Sequence, residues 1–449
     1  MSASKSANSR SLRAALAERV VIADGAMGTM IQAADPSLDD FQGHEGCNEI
    51  LNITRPEVIA AIHRQYLQVG VDAIETNTFG ANLGNLAEYG ITDRIYELAE
   101  AGARIARTAA DEFISRDGEP RWVLGSLGPG TKLPTLGHAT YQELENAYFD
   151  ASRGLLDGGS DALLIETTQD LLQTKCAVNG ARRAIARVER DVVLIAQVTV
   201  ETTGTMLLGS EIGAALNALE NLGIDVIGMN CATGPAEMSE HLRHLSQHAR
   251  CAISCMPNAG LPVLKDGGAH YPLSPDELAD SLAGYATSYD LALIGGCCGT
   301  TPAHLEKVVQ RLKNQPLQSR NVSHESGASS LYQFVPFRQD QTYLAIGERT
   351  NANGSKAFRD ALLAEDWERC IEIAKDQIRD GAHMLDLSVD YVGRDGVADM
   401  SILAAKIATA STLPVVLDST EPPVLKAAPC SFTNGMIFAK REVEPSPSS

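Results

Sequence analysis

The sequence predicts an α/β protein: a (β/α)8 TIM barrel followed by a linker and an incomplete second (β/α) barrel. Three observations lead there. Apolar runs of about five to eight residues alternate with helix-like segments, the pattern of a parallel sheet whose strands are joined by helices. Eight such runs end near Asp24, Asn77, Gly128, Glu166, Thr199, Cys231, Asn258 and Cys297, and eight strands close a barrel of about 250 residues. Gly70-Val71-Asp72, Gly159-Ser160-Asp161 and Gly223-Ile224-Asp225 repeat one glycine-led turn from helix into strand.

The intervening segments carry helix punctuation. Pro56 opens a helix with Val58, Ile59, Ile62 and Tyr66 along one face. Thr140-Tyr141-Gln142-Glu143 is a capping box, and Ser274-Pro275-Asp276-Glu277 joins a cap, a proline at the first helical position and a glutamate two residues on. Thr301-Pro302 starts another helix in the same way. From about Lys313 to Gln341 the composition turns to Ser, Asn, Gln and Pro, including Ser326-Gly327-Ala328-Ser329-Ser330, and reads as a linker.

A new unit then begins with Leu344-Ala345-Ile346 and continues through Met384-Leu385-Asp386-Leu387 and Leu413 to Asp418. These are three strands where a barrel needs eight, and the pattern decays after Ala427. Such a sheet is expected to leave one edge open and one apolar face bare. The expected limits are 12–315 for the barrel, 316–341 for the linker and 342–449 for the second unit.

Composition removes several classes of function. With 37 basic and 57 acidic side chains the net charge is −20, which opposes nucleic acid and anionic membrane as partners. No apolar run reaches the roughly 18 residues of a membrane span, and Met1 to Arg10 lacks the apolar core of a signal peptide. A cytoplasmic location is therefore expected, and with it nine reduced cysteines.

Three of those cysteines stand apart. In Gly295-Gly296-Cys297-Cys298-Gly299-Thr300-Thr301-Pro302 two thiols sit where a strand hands over to a helix, and neighbours in sequence make a poor disulfide. Cys231 ends another apolar run in the same manner. Three thiolates with one open position is the ligand count of a catalytic zinc site; the plain alternative is three buried, inert cysteines. Cys47, Cys176, Cys251, Cys255, Cys370 and Cys430 lack the glycine-rich setting and read as structural.

In such barrels the chemistry sits at the C-terminal ends of the strands. Asp24, Glu75, Asn77, Glu166, Cys231, Asn258, Cys297 and Cys298 all fall at or near those ends. Asp24 and Glu166 call for partners there, since a buried carboxylate is costly alone; a structural hydrogen bond at the rim is the alternative. His241, His244 and His248 share a helical face that reads as solvated, and Gly125-Ser126-Leu127-Gly128-Pro129-Gly130 reads as a strand-end turn lining the site.

With Asp24-Gly25-Ala26-Met27-Gly28-Thr29, Ile74-Glu75-Thr76-Asn77-Thr78-Phe79, Leu164-Ile165-Glu166-Thr167, Asn230-Cys231, Pro257-Asn258-Ala259-Gly260 and Gly296-Cys297-Cys298-Gly299-Thr300, the first domain resembles the zinc-dependent homocysteine S-methyltransferases. The second unit, with Gly347-Glu348-Arg349-Thr350-Asn351, Asp386 and Leu417-Asp418-Ser419, resembles the start of the pterin-binding barrel in the family of cobalamin-dependent methionine synthases.

The resemblance implies that Cys231, Cys297 and Cys298 carry Zn2+, with Asn258 in the fourth position before substrate arrives. It implies a homocysteine site of Asp24, Gly25, Ala26, Glu75, Asn77 and Glu166, with Glu166 facing the ammonium. It assigns Glu348, Asn351, Asp386, Asp390 and Asp418 to a partial pterin site. The implied reaction forms methionine, with the methyl group drawn from methylcobalamin and ultimately from 5-methyltetrahydrofolate. The cobalamin module is absent from these residues and would lie elsewhere or act in trans. The rival readings are a stand-alone homocysteine S-methyltransferase with a sulfonium or betaine donor, a zinc hydrolase using Glu166 as base, and a non-catalytic zinc- or thiol-binding protein.

Overall fold

The computed structural model describes residues 11–265, 268–428 and 436–439. The chain divides into two compact units, one of residues 1–207 and 219–324 and one of residues 208–218 and 325–449. Cys430 and the C-terminal tail lie outside the described residues.

The first unit holds β1 (Val21–Ile22), β2 (Ala73–Glu75), β3 (Trp122–Leu127), β4 (Ala162–Thr168), β5 (Val193–Val198), β6 (Val226–Asn230) and β7 (Ala252–Met256). After a short hairpin of β8 (Val263–Lys265) and β9 (Gly268–His270) comes the last barrel strand, β10 (Leu293–Ile294). The sheet order is β1-β10-β7-β6-β5-β4-β3-β2, parallel throughout. The expected strand ends fall within a few residues of these limits. The capping boxes at Thr140 and Ser274 also form.

The repeated glycine-x-aspartate turn has a clear physical role. Each glycine adopts a left-handed conformation, with φ of 95°, 103° and 77° at Gly70, Gly159 and Gly223. Each aspartate then grips the preceding strand at two points. The backbone N–H of Asp72, Asp161 and Asp225 donates to Ile22, Val123 and Leu194 carbonyls at 2.7, 2.8 and 2.8 Å. Their carboxylates accept from the N–H groups of the same three residues at 3.0, 2.8 and 2.8 Å.

Between β1 and β2 no ladder runs, so side chains close the barrel there. Asp72 supplies one stitch as above, and Asp24 supplies the other by accepting from Glu75 N at 3.0 Å. At the opposite end of the strands, helix Leu12–Glu18 places Leu12, Ala15 and Leu16 in one buried cluster with Val21, Ala73, Trp122, Ala162, Val193 and Val226. These are the first residues of six strands, so the helix plugs the base of the barrel. On the outer layer, helix Pro56–Gln68 buries His63 completely, with neither ring nitrogen bonded among the described residues.

The second unit contains a parallel sheet ordered β13 (Ile346–Gly347), β14 (Met384–Leu387), β15 (Val415–Ser419) and β16 (Met436–Ala439). The strand at Met436–Ala439 corrects the expectation of three strands. It pairs in parallel with β15 from Val416 to Ser419. The expected bare face is also corrected. Strands β11 (Gly327–Ser329) and β12 (Phe334–Pro336) form an antiparallel hairpin, and their Ala328 and Val335 bury Met384 and Val416. Alternate residues Leu385, Leu387, Val415 and Leu417 pack the other way, into a cluster with helices Lys356–Leu363, Trp367–Arg379 and Gly396–Ala410.

The stretch read as a linker is thus folded. Its first part belongs to the first unit, where Arg320 donates to the carbonyls of Ala249 and Cys251 at 2.9 and 2.6 Å, and its serine-rich part is β11. No helix among the described residues is long and apolar enough to cross a membrane.

Candidate metal centre

Beyond β6 and β10 the backbone brings three sulfurs together. Cys231 and Ala232 both adopt left-handed conformations, with φ of 59° and 53°. Two such residues in succession, neither of them glycine, are sterically unfavourable, and strain of this kind collects at functional sites. Cys231 N donates to Met256 O at 3.2 Å and Cys297 N to Pro257 O at 2.8 Å. Cys298 N donates to Asn258 Oδ1 at 3.1 Å. The three Sγ atoms lie within 4.8 Å of one another, and Cys231 and Cys298 are 3.9 Å apart. A tetrahedral zinc site with Zn–S of about 2.3 Å separates its sulfurs by about 3.8 Å, so the donor set fits that ion.

Thr300 locks the cysteine loop to the β1 loop. Its hydroxyl donates to Cys297 O at 2.6 Å and accepts from Ala26 N at 3.2 Å. A Cβ on Gly25 would come within 2.5 Å of that hydroxyl, and one on Gly296 would overlap the same side chain. Both glycines are therefore dictated by close approach. Tyr271 lies against Gly299, whose φ is 79°, and its hydroxyl bonds to Cys298. Hydrogen bonds from Cys231 and Cys297 lower the Cys298 thiol to about 3.

Three carboxylates share the same rim, Asp24 and Glu166 buried and Glu75 half-buried. Glu166 accepts from Ser126 Oγ at 2.5 Å and from Asn230 Nδ2 at 3.0 Å. Burial pushes its carboxyl up to about 7 against those donors. Glu75 is raised by burial and then by the charges of Glu166 and Asp24, and Asp24 is raised chiefly by burial. Like charges packed this closely favour a cation in their midst.

The remaining expected residues divide. Asn77 is buried, but its amide donates to Asn48 O and Asn52 Oδ1 at 2.8 and 3.0 Å, within a helix-to-strand network. In the second unit Asn351 donates to Asp386 at 2.9 Å and to Asp418 at 3.4 Å. Asp390 instead accepts from Ser419 Oγ and Thr420 N, and Glu348 is exposed outside that network. His241, His244 and His248 form no three-ligand cluster; among the described residues only the three cysteines do. Asn230, Tyr271 and Thr300 are not among the expected site residues, and Ser126 is anticipated only as part of a turn lining the site. Asn230 and Thr300 were flagged only by adjoining the cysteines.

A (β/α)8 barrel with three converging thiols and buried carboxylates at its C-terminal face defines a class of thiol-handling barrel proteins. The chain belongs to the homocysteine S-methyltransferase family, which matches residues 21–312. The pterin binding enzyme family matches residues 347–436. Methionine synthase from Mycobacterium tuberculosis is 64% identical over 412 residues, and that from Mycobacterium leprae 60% identical over 417. Each match covers 92% of this chain and 34% of the relative, so the chain spans about a third of their length. The metallated homocysteine methyltransferase MmuM from Escherichia coli shares the barrel fold, with a TM-score of 0.54 and 21% identity over 65% of this chain and 96% of that one.

Proposed function

We propose that this chain methylates the sulfur of homocysteine to form methionine, within the 12–315 barrel, as part of a methionine synthase system. The carrying observation is the convergence of Cys231, Cys297 and Cys298 beside the carboxylates of Asp24, Glu75 and Glu166. Cys231, Cys297 and Cys298 would hold a zinc ion, with Asn258 as fourth ligand. The ion supplies a thiol kept ionised near neutral pH, where a free thiol is mostly protonated.

The chain's own groups do the rest. Glu166, with Asp24 and Glu75, meets the substrate ammonium and recovers the electrostatic cost of three adjacent carboxylates. The Gly25-Ala26 backbone, fixed by Thr300, borders the amino acid end. Substrate sulfur is thereby aimed at the cysteine side of the pocket, ready to displace a methyl group in line. The methyl donor in this reading is methylcobalamin, recharged from 5-methyltetrahydrofolate. Asn351, Asp386 and Asp418, together with Glu348 and Asp390, are the proposed pterin contacts of the 342–449 unit. Relatives named methionine synthase support this donor over a sulfonium or betaine, for which a pterin unit has no use.

The test supplies homocysteine and free methylcobalamin to the purified chain and measures methionine. Formation of methionine that follows zinc content is expected. Ester or amide cleavage without methyl transfer would point to the hydrolase, and zinc binding with neither reaction would sink the enzymatic reading.

A further inference from the structure

We infer that Asn230 is a positioning residue that fixes the ammonium-facing carboxylate of Glu166 relative to the thiol of Cys231. This rests on the proposed role of Glu166 and extends it to a residue that touches neither substrate nor metal.

The geometry carries the inference. Asn230 is the last residue of β6, buried, and directly precedes Cys231. All of its side-chain bonding is spent on the neighbouring strand end. Nδ2 donates to Glu166 Oε2 at 3.0 Å and to Thr167 Oγ1 at 2.9 Å, while Oδ1 accepts from Thr167 N at 2.7 Å. Its backbone carbonyl accepts from Thr199 Oγ1 at 2.9 Å, which ties β5 into the same knot.

Thr167 is itself left-handed, with φ of 55°. A β-branched residue reaches that conformation only when its surroundings hold it there. Two unfavourable turns, at Thr167 after Glu166 and at Cys231-Ala232, therefore face each other across one amide. That amide couples them, so the distance between the carboxylate and the sulfur is set by Asn230. A hydrophobic residue could fill the same space but would leave Thr167 N without a bond and Glu166 Oε2 with only the 3.5 Å contact from Thr167 Oγ1. Aspartate would keep the acceptor for Thr167 N and replace the donors to Glu166 with a like charge.

The test compares homocysteine with 4-mercaptobutyrate, the same thiol lacking the α-amino group, on zinc-loaded full-length chain. Asn230→Ala and Asn230→Asp are expected to lower homocysteine affinity about tenfold or more while 4-mercaptobutyrate affinity and zinc content hold. In a Glu166→Gln background the same changes should add almost nothing, because the residue acts through that carboxylate. If Asn230→Ala fails to fold, Asn230→Asp alone decides. Unchanged homocysteine affinity in Asn230→Asp, equal losses for both thiols, or full additivity with Glu166→Gln would overturn the inference. A Glu166→Gln variant that binds homocysteine normally would instead overturn the role of Glu166 on which it rests.

Discussion

The two units enter their strands by the same device and differ in how their sheets end. In the first, a left-handed glycine precedes an aspartate that grips the neighbouring strand at two points. In the second, Gly381 has φ of 88°, and His383 takes the aspartate's place. Its N–H donates to Ala345 O at 2.8 Å while its Nδ1 accepts from Ala345 N at 2.9 Å. Each unit also covers the base of its sheet with the segment just before its first strand, a helix in one and a hairpin in the other. Yet the first sheet returns on itself through the Asp72 and Asp24 stitches, whereas the described second sheet runs from β13 to β16 as four strands. Local rules thus build each strand pair, and closure decides how many groups converge. Five strand ends deliver the thiols and carboxylates of the barrel; three deliver Asn351, Asp386 and Asp418.

The largest expected effect tests that convergence. Cys297→Ser with Cys298→Ser should abolish zinc binding, measured as metal per chain after dialysis, and leave the second unit folded. Zinc retained at full stoichiometry would show that the convergence serves some other end. Glu166→Gln should weaken homocysteine binding by about 2–5 kcal/mol, since it leaves a buried ammonium facing an uncharged partner. The corresponding Asp386→Asn should leave homocysteine affinity unaltered, and calorimetric titration of both variants separates the two units' roles.

Asp161→Ala should cost about 1–3 kcal/mol in chemical denaturation, because Val123 N loses its carboxylate acceptor within a buried strand. His383→Ala removes the equivalent acceptor for Ala345 N at an exposed position, where water can replace it, so a cost below that of Asp161→Ala is expected. Equal costs would show that the shared device is energetically independent of closure.

His63 gives the smallest effect near neutral pH and a growing one in acid. Burial, then the charge of Arg64, depresses its folded value to about 3 from an ordinary 6.5. Between those values the unfolded chain binds the additional proton, so stability rises with pH. It is complete above about 6.5 and falls by about 1.4 kcal/mol per unit as pH drops toward 3. Urea midpoints at pH 5 and 7 should therefore differ less in His63→Leu than in the parent.

Much of the barrel was legible because its signals are local. Apolar runs mark strands, Thr140 and Ser274 mark helix starts, and glycines before Asp72, Asp161 and Asp225 mark turns. The cysteines were legible because a strand-end thiol beside glycines has few structural uses. Where the sequence misled, the decisive contacts were distant or the elements very short. The hairpin strand Gly327–Ser329 has the composition of a linker and is recognisable only by what Ala328 buries. The amide of Asn77 is claimed by Asn48 and Asn52, a pairing that no spacing rule announces. The left-handed turns at Thr167 and Cys231 are held by Asn230 across 63 residues, and nothing in either local sequence calls for them.

Asp24 would make barrel closure and the proposed substrate capture depend on one carboxylate. It stitches β1 to β2 through Glu75 N while standing among the groups proposed to hold the ammonium. A chain that has not yet brought its first strand home therefore has no complete place for an amino acid to sit. On the proposed reading only a closed barrel would take up the substrate, and the bound amino acid would act as a clasp over the joint between β1 and β2.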